Sequence, residues 1–357
     1  MRIHHFYPRS SNIGDHFVQH GIEVMIRRII PTAGFELFNI NSRGSSKSDY
    51  GLTQAAVDRA NREADLIVVG GSNLYEGSYG WHWGVHLEAE ALKKLRVPLF
   101  LLGIGSGSNF ASPLHKPSAR ARNEIKLLNS HAMLSGARDV ITLEWMQKLG
   151  ISNAKLLGDP ATFIFNRPPQ NSYKGHILIT MPPRRFWISK RQFCSVYLRG
   201  RPMFRALVSV ANKLIAEGNK VIVACNDPID LPVTQALFNG SPPEFVVCPQ
   251  TVDEYFQLLS TSRAVVSGRL HTAVVAFSLG LPFLLLDVDQ RTHGFVKTYQ
   301  LEAWSVDATR AGVELHLFEC IERLLRRESS GLWALLVAKR DLMFNRSMDL
   351  LRVALTS

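Results

Sequence analysis

The chain has 357 residues, more than one hydrophobic core of ordinary size can organise, so its length favours two α/β domains with a cleft between them. Hydrophobic residues make up 46% and charged residues 20% of the chain, which is typical of a globular protein and excludes a largely disordered one. The formal net charge of +11 favours anionic partners, namely phosphorylated substrates, acidic glycans or an anionic membrane surface. Nucleic acid is disfavoured, because no basic run is interleaved with aromatic residues.

The amino-terminal segment and the apolar runs predict a cytoplasmic chain. Met1 to Pro8 contains histidines and an arginine where a secretory signal would need an apolar core. The longest apolar run, Ala273 to Leu286, is broken by Gly280 and Pro282 and is shorter than the roughly 20 residues that span a bilayer. The four cysteines form no C-x-x-C pair, so we interpret them as reduced core residues rather than metal ligands or disulfides.

Short β-rich runs alternate with amphipathic stretches along the whole chain, which predicts βαβ units and an α/β fold with mostly parallel sheets. The predicted strands of the first half are Arg2–Tyr7, Phe35–Asn41, Asp65–Val69, Val97–Leu102, Ala132–Ser135 and Ala154–Leu157. Those of the second half are His176–Met181, Lys220–Asn226, Phe245–Cys248, Ala264–Ser267 and Phe283–Val288. A Pro-rich polar stretch, Asn166–Gly175, predicts the linker. We therefore expect a first domain at 1–165, a second at 166–310, and two helices at 311–357 that pack on the domains.

Polar clusters follow many of these strands. In open parallel sheets, ligands bind beyond the carboxyl ends of the strands, where helix N-termini and loops converge. The clusters are Asn12–Asp15, Gly70–Asn73, Gly103–Gly107, Arg138–Asp139, Pro183–Arg185 and Gly268–His271. We expect them to face one cleft between two Rossmann-like domains.

The segment Ser267–Thr272, between a buried strand and an apolar helix, carries the most specific signal. Gly268 permits a tight turn, and the helix N-terminus that follows attracts phosphate. Arg269 can bind a phosphate or carboxylate through two parallel hydrogen bonds, and His271 can transfer a proton near neutral pH. The alternative is that Arg269 and His271 satisfy nearby carbonyl groups.

Taken together, the motifs resemble those of the polysaccharide pyruvyl transferase family. The resemblance covers most of residues 1–300 and rests on Asn12-x-Gly14-Asp15, Asp65–Gly71, Gly103–Gly107, Arg138-Asp139 with Leu149-Gly150, Asp159-Pro160-Ala161, and Arg269-Leu270-His271 with Gly280-Leu281-Pro282. It implies a twin-Rossmann, glycosyltransferase-B-like architecture. It also implies that phosphoenolpyruvate supplies a pyruvate ketal to hydroxyls of a sugar in a cell-surface polysaccharide or its lipid-linked precursor.

The resemblance also assigns donor residues. Arg269 and His271 match the family's donor-site pair, and either Arg184 or Arg185 matches its other basic donor-side position. The chain departs from the family at Ser72, where a third glycine is frequent, and at 287–291, where an aromatic residue and a lysine are common.

The chemistry of phosphoenolpyruvate suits these residues independently. Its phosphate and carboxylate call for two arginines and a helix N-terminus, and its methylene carbon must be protonated before a sugar hydroxyl attacks. His271 is our candidate acid, and Asp15 our candidate base on the acceptor side, although Asp15 could instead only cap a helix. The predicted acceptor-binding residues are Asn12, Gly71, Asn73, Trp81 and Arg138.

Aromatic residues cluster at 75–83 and could stack on sugar rings or pack beneath the next helix. His82 and His86 lack the glutamate of a zinc protease motif, so no metal site is expected. Gly103-x-Gly105 lacks the other parts of a dinucleotide fingerprint, so no cofactor is expected either.

Two other functions remain open from the sequence. A nucleotide-sugar-dependent glycosyltransferase would need an acidic residue for ribose, and Asp230 or Asp253 could serve. A non-catalytic glycan-binding subunit is disfavoured, because Arg269 and His271 are both present. For the transferase we expect a cytoplasmic location, with peripheral contact at the inner membrane face where a lipid-linked acceptor would lie.

Overall fold

Two six-stranded parallel sheets organise the protein. The computed structural model describes residues 1–41, 49–75, 84–107, 118–164, 175–183, 194–239, 245–308, 312–326 and 332–356. We call the part built on the first sheet the first domain and the part built on the second sheet the second domain. The predicted linker and domain boundary at 165/166 fall largely outside the described residues, so the three predicted domain ranges stay a prediction.

The first sheet contains every strand that the sequence predicts for the first half. Its strands are β1 (Arg2–Tyr7), β2 (Gly34–Asn39), β3 (Leu66–Gly70), β4 (Leu99–Ile104), β5 (Leu134–Ala137) and β6 (Ala154–Leu156). They lie side by side in the order β2-β1-β3-β4-β5-β6, all parallel. Leu66 and Val68 of β3 pack in one hydrophobic cluster, and Ile67 and Val69 pack in another. Both faces of the sheet are therefore buried, which explains the continuous apolar runs in its strands.

The second sheet has one strand more than the sequence predicts. Its strands are β7 (His176–Thr180), β8 (Val221–Ala224), β9 (Val246–Val247), β10 (Ser262–Ser267), β11 (Phe283–Asp287) and β12 (Ser305–Asp307). Their order is β12-β11-β10-β7-β8-β9, all parallel. Counted from its own first strand this is 3-2-1-4-5-6, the order of Rossmann domains. β12 was missed because three residues with polar ends show no hydrophobic pattern.

Helices connect the strands in both halves. They are α1 (Ile13–Arg27), α2 (Gln54–Glu63), α3 (Ala89–Leu92), α4 (Ala119–His131), α5 (Val140–Lys148), α6 (Cys194–Ala216), α7 (Leu231–Leu237), α8 (Val252–Ser260), α9 (Leu270–Leu279), α10 (Gln290–Tyr299), α11 (Val313–Arg326) and α12 (Leu332–Thr356). Short 3-10 turns lie at Pro160–Phe163, Pro228–Asp230 and Glu302–Trp304. No helix within the described ranges is both long and apolar enough to cross a bilayer.

The strand orders place a crevice at the same point in each domain. In the first sheet the chain moves from β1 to β2 on one side and then to β3 on the other. In the second sheet the corresponding reversal separates β7 from β10. Loops that leave the carboxyl ends of two such strands diverge and leave room for a ligand. The polar clusters after β1, β3 and β10 therefore lie where an open parallel sheet binds ligands.

The last helix, α12, crosses from the second domain back to the first. The guanidinium of Arg340 donates to the carbonyl of Ser278 in the second domain at 2.5 Å. One and a half to two turns later, the hydroxyl of Ser347 donates to the carbonyl of Leu157 in the first domain. The carboxyl-terminal segment contains α11 and α12, and α12 is hydrogen-bonded to both domains.

Gly71, after β3, is required by the packing of the first domain. Its φ is +77°, and a Cβ placed there would lie 1.8 Å from Cγ1 of Val18 on α1. We predict that Gly71→Ala lowers the free energy of unfolding by about 1–3 kcal/mol, because both the backbone and α1 must shift. Chemical denaturation would measure this. Gly34→Ala is the control, since a Cβ at Gly34 meets nothing within 4 Å, and equal effects of the two substitutions would contradict the prediction.

Candidate active site

A cleft of about 710 Å³ lies between the two domains, at the carboxyl ends of both sheets. Asp15 lines it from the first domain, and Arg269 and His271 line it from the second. These side chains were expected to face each other across an interdomain cleft, and the structure places them so.

The first turn of α1 forms part of the cleft wall and touches the second domain. Asn12 is the N-cap of α1, because its side chain accepts a hydrogen bond from the amide of Gly14 at 3.1 Å. The amide of Ile13 donates to the carbonyl of Asn226, across the domain interface, at 2.9 Å. The hydroxyl of Ser11 donates to Asp227, also across the interface, at 2.9 Å. The N-terminus of α1 is thus fixed against the second domain.

Asp15 is held by two hydroxyl groups and is not the helix cap. Ser10 donates to one carboxylate oxygen of Asp15 at 2.5 Å, and Ser72 donates to the other at 2.6 Å. Because Asn12 caps α1, the alternative in which Asp15 is present only as a cap loses its support. The carboxylate faces the cleft in a fixed orientation.

The departure from the family at Ser72 has a structural explanation. Ser72 has a φ of +65°, in the left-handed region where glycine is favoured. Its hydroxyl makes the hydrogen bond to Asp15 that a glycine could not make. The serine thus combines a strained backbone with a contact to the candidate base.

The other acceptor-side candidates divide into two groups. Asn12, Asn73 and Arg138 line the cleft, and the amide nitrogen of the Asn73 side chain donates to the carbonyl of Gly107 at 2.8 Å. Gly71 packs on α1 and is not among the residues that line the cleft. The predicted residues Trp81, Arg184 and Arg185 lie outside the described residues.

Within the aromatic cluster, Tyr75 is a core residue. Its side chain is buried, packs against Trp145, and accepts a hydrogen bond from Asn129 at 2.8 Å. For Tyr75 the packing alternative is therefore correct.

Arg269, directly before α9, is already engaged by protein groups. Its Nε donates to the carbonyl of Met181 at 3.0 Å, and its guanidinium forms an ion pair with Asp230. Burial lowers the pKa of Arg269, and the charge of Asp230 opposes that shift. Gly268 and Arg269 both line the cleft, so an anionic ligand would meet a guanidinium whose orientation Asp230 fixes.

His271 lies in the first turn of α9, between the two domains. Its Nδ1 edge packs against Gly14 so closely that a Cβ on Gly14 would lie 2.3 Å from Nδ1. Its Nε2 lies 3.6 Å from Oδ2 of Asp159, which follows β6 in the first domain. The imidazole therefore belongs to the second domain in sequence but contacts the first domain on both edges.

A buried charged cluster surrounds this contact. The Nε of Arg138 lies 3.4 Å from Asp139 Oδ2 and 3.9 Å from Asp159 Oδ2. Three buried atoms of the cluster make no hydrogen bond to the described residues: Arg138 Nη2, Asp159 Oδ2 and His271 Nε2. Unpaired buried polar atoms are costly, and their concentration at a cleft is typical of a site that meets a polar ligand.

The two aspartates of the cluster differ in their electrostatics. Burial raises the pKa of Asp139, and its contacts with Arg138 and Thr142 only partly oppose that effect. Burial also acts to raise the pKa of Asp159, but His271 and Arg138 outweigh it and hold the pKa below its usual value. Asp159 is therefore ionised at neutral pH.

Sequence reasoning missed the roles of Asp159, Asp230 and Arg291 in this cleft. Asp159 was noted only within Asp159-Pro160-Ala161, one of the motifs on which the family resemblance rests, and Asp230 only as a ribose-binding candidate. Arg291 lines the cleft and forms an ion pair with Asp289, the N-cap of α10. Position relative to a strand end could have indicated Arg291, since it follows β11, but it could not indicate which partner each charge would find.

The described residues contain one group with the spacing of a metal site, and it lies outside the cleft. His4, Glu36 and Glu63 have ligand atoms within 4.8 Å of one another. Arg59 forms an ion pair with both glutamates, so a guanidinium already binds the two carboxylates that would have to hold a metal ion. These residues therefore do not alter the expectation that the reaction uses no metal, which stays a prediction.

Comparisons with known proteins agree with the fold. A sequence model of one family, described as polysaccharide pyruvyl transferase, matches residues 12–290. No curated protein sequence matches the chain. Among solved structures, the UDP-GlcNAc 2-epimerase from Neisseria meningitidis bound to UDP-GlcNAc is similar with a TM-score of 0.61, 10% identity, and 100% of both chains covered. The UDP-GlcNAc 2-epimerase from Methanocaldococcus jannaschii gives 0.53 and 12%, covering 91% of this chain and 93% of that one.

A third solved structure, described as a UDP-N-acetylglucosamine 2-epimerase from Listeria monocytogenes, gives a TM-score of 0.53 and 12% identity, covering 96% of this chain and 90% of that one. At such low identity these likenesses concern the fold alone. They confirm the predicted architecture of two Rossmann-like, parallel-sheet domains that face a cleft, as in glycosyltransferase-B-like proteins.

Substitutions at Ser72 should separate the backbone strain from the hydrogen bond. Ser72→Ala keeps the positive φ and loses the bond to Asp15, whereas Ser72→Gly loses the bond and relieves the strain. We predict that the glycine variant is more stable than the alanine variant by about 1–2 kcal/mol. Thermal and chemical denaturation of the pair would measure this, and an alanine variant as stable as the glycine variant would contradict it.

Proposed function

The chain belongs to the polysaccharide pyruvyl transferase family, and from this premise we propose that it transfers a pyruvyl group from phosphoenolpyruvate to two hydroxyls of one sugar, forming a ketal. The acceptor in this proposal is a cell-surface polysaccharide or its lipid-linked precursor. We place the reaction in the cytoplasm, at the inner membrane face.

The observation that carries the proposal is the meeting of an acid, a base and two arginines in one cleft. His271, Arg269, Arg138 and Asp15 all line it, and they come from both domains. The first turn of α9 presents backbone N–H groups beside Arg269, an arrangement that binds phosphate or carboxylate. Phosphoenolpyruvate carries both of these anionic groups on the same carbon atom.

The proposed reaction balances with one acid and one base. His271 gives a proton to the methylene carbon of phosphoenolpyruvate, which makes the adjacent carbon electrophilic. A sugar hydroxyl attacks that carbon as Asp15 accepts its proton. The carbon–oxygen bond to phosphate then breaks, and the second hydroxyl closes the ketal. Of the two hydroxyl protons, one replaces the proton that His271 gave and the other leaves with phosphate.

The ion pair with Asp230 means that Arg269 would bind the donor as a pre-oriented guanidinium and not as a freely moving cation. Because Arg269 forms an ion pair with Asp230 and a hydrogen bond to the carbonyl of Met181, its guanidinium plane is fixed before a ligand arrives. An anionic donor then binds to a guanidinium that is already oriented. The side chain of Arg269 therefore loses less conformational entropy on binding than a freely rotating side chain would. The cost is competition with the carboxylate of Asp230.

On the acceptor side, the hydroxyls that hold Asp15 set its direction. Ser10 and Ser72 each donate to one oxygen, so the carboxylate cannot rotate without losing a bond. A base in this fixed position can accept a proton from a hydroxyl within hydrogen-bond distance. We propose that Asn12 and Asn73, which line the same wall, bind other hydroxyls of the sugar.

The nucleotide-sugar alternative loses support from the two aspartates on which it depended. The carboxylate of Asp230 is engaged by Arg269, and Asp253, at the start of α8, is not among the residues that line the cleft. Neither residue is therefore placed as an uncommitted acceptor for ribose hydroxyls.

The proposed function can be tested by phosphate release from phosphoenolpyruvate with a panel of hexosides and lipid-linked oligosaccharides. We expect phosphate release only with an acceptor, together with a glycoside whose mass has increased by the pyruvate ketal. Thermal shifts with phosphoenolpyruvate and with UDP-GlcNAc are the parallel measurement. Stabilisation by UDP-GlcNAc and none by phosphoenolpyruvate would overturn the proposal.

Replacing Arg269 by lysine should weaken donor binding. Lysine keeps the charge but cannot bond Met181, Asp230 and an anion in one plane. We expect the KM for phosphoenolpyruvate to rise roughly tenfold to hundredfold, which corresponds to the loss of a charged hydrogen bond. Arg263→Lys, near the start of β10, the strand that precedes Arg269, is the matched control. An unchanged KM in Arg269→Lys would show that this arginine does not bind the donor.

Replacing His271 by alanine should slow turnover. A lost general acid typically reduces the rate by roughly 10² to 10⁴, and we expect that loss in kcat with the melting temperature preserved. Steady-state kinetics would measure it, with His316→Ala, at an exposed position on α11, as the control histidine. If the His271 variant unfolds or keeps wild-type turnover, the acid role is wrong.

A further inference from the structure

We infer that Asp159 is the positioning residue for His271: its carboxylate, in the first domain, orients the imidazole of the second domain and stabilises its protonated form. The use of the proton on His271 as the catalytic acid rests on the proposed function. The pairing of Asp159 with His271 does not depend on the substrate. It follows from the geometry of Asp159, from a comparison with Asp139, and from the location of the contact.

The two carboxylate oxygens of Asp159 face different partners. Oδ1 accepts from the amide of Ala161 at 3.0 Å and so caps the short turn Pro160–Phe163. Oδ2 is left facing His271 Nε2 at 3.6 Å, and neither atom has a hydrogen-bond partner among the described residues. With Asp159 only 2% exposed, its charge is little screened by solvent. The backbone cap therefore fixes a carboxylate that is aimed at the imidazole.

Asp139 provides a comparison within the same cluster. Like Asp159, it is buried, caps a helix through Oδ1 by accepting from the amide of Thr142 at 2.7 Å, and faces Arg138 through Oδ2. The difference is that Asp159 also faces His271. The pKa is raised for Asp139 and lowered for Asp159, although both carboxyls are buried. The contact with His271 is thus part of what keeps Asp159 ionised, and this buried carboxylate lies at an ion-pair distance from the imidazole.

Other charges around His271 act in both directions. Arg138, in the loop after β5, and Asp15, on α1, line the same cleft as His271. The positive charge of Arg138 acts against a proton on the imidazole, and the negative charge of Asp15 acts in its favour. On the second domain, Arg269 is paired with Asp230, and Arg291 is paired with Asp289. Asp159 differs from these groups because it contacts the imidazole at an ion-pair distance.

The contact between Asp159 and His271 lies at the interface of the two domains. Asp159 belongs to the first domain and His271 to the second, so the pair exists only while the domains are in contact. Gly14 allows the same approach on the other edge of the ring, because any Cβ there would displace it. The acid is therefore assembled by domain contact, and an opened cleft would leave His271 without its charged partner.

The test follows the titration of His271 by NMR in full-length protein labelled at the histidine Cε1 position. The resonance that is missing in His271→Ala identifies it. In Asp159→Asn, which keeps the capping oxygen and removes the charge, we expect the titration midpoint to fall by about one pH unit. In the matched variant Asp139→Asn we expect the midpoint to stay at the wild-type pH. Since the imidazole must be protonated to act as the acid, the alkaline limb of the kcat profile should move to lower pH in Asp159→Asn alone.

Asp159→Ser is a second variant for the case that Asp159→Asn does not fold, because serine also caps a turn and carries no charge. Midpoints that match the wild type in both Asp159 variants, or an equal fall in Asp139→Asn, would overturn the inference. The titration needs no substrate, so it decides the pairing even if the wild type releases no phosphate from phosphoenolpyruvate. That last result would count against the proposed function and not against the pairing.

Discussion

The first turn of α1 lies against the second domain, and the arrangement of the cleft depends on that contact. The amide of Ile13 donates to the carbonyl of Asn226, and Gly14 packs on the ring of His271. Asn226 is itself held in a buried network, since Tyr255 donates to its side chain at 2.9 Å and it donates to Thr272 at 3.0 Å. The carbonyl that receives α1 is therefore rigidly placed. Through this junction the position of Asp15 relative to His271 depends on contacts that both domains make.

Each arginine that lines the cleft in the described part of the chain is paired with a carboxylate before a ligand is present. Arg269 pairs with Asp230, Arg291 with Asp289, and Arg138 with the Asp139 and Asp159 carboxylates. A buried guanidinium without such a partner would be expensive, so the pairs stabilise the unliganded cleft. The aspartates also orient the N–H groups of the guanidiniums. An anionic substrate must then compete with these aspartates for the same N–H groups.

The sequence was sufficient for most of the fold, because buried parallel strands produce apolar runs that are hard to mistake. It also placed Asp15, Arg269 and His271 on one cleft, since each follows a strand end. It failed where information is not local: β12 is an edge strand of three residues, and Tyr75 lies in an aromatic run whose local pattern does not distinguish core from surface. The contact between Asp159 and His271 joins residues 112 positions apart in different domains, so no local motif could reveal it.

The crossing of α12 has a mechanical consequence for the whole molecule. α1 and α9 both begin at the cleft, and both end near α12, where Arg28 of the α1 cap stacks on Phe344 and Ser278 of α9 accepts from Arg340. At about 1.5 Å per residue, this places α12 roughly 15–20 Å behind the site. Because α12 is hydrogen-bonded to both domains, they could not move far apart at this end of the molecule without breaking its contacts with at least one of them. α12 therefore holds the two domains together on the side opposite the reacting groups.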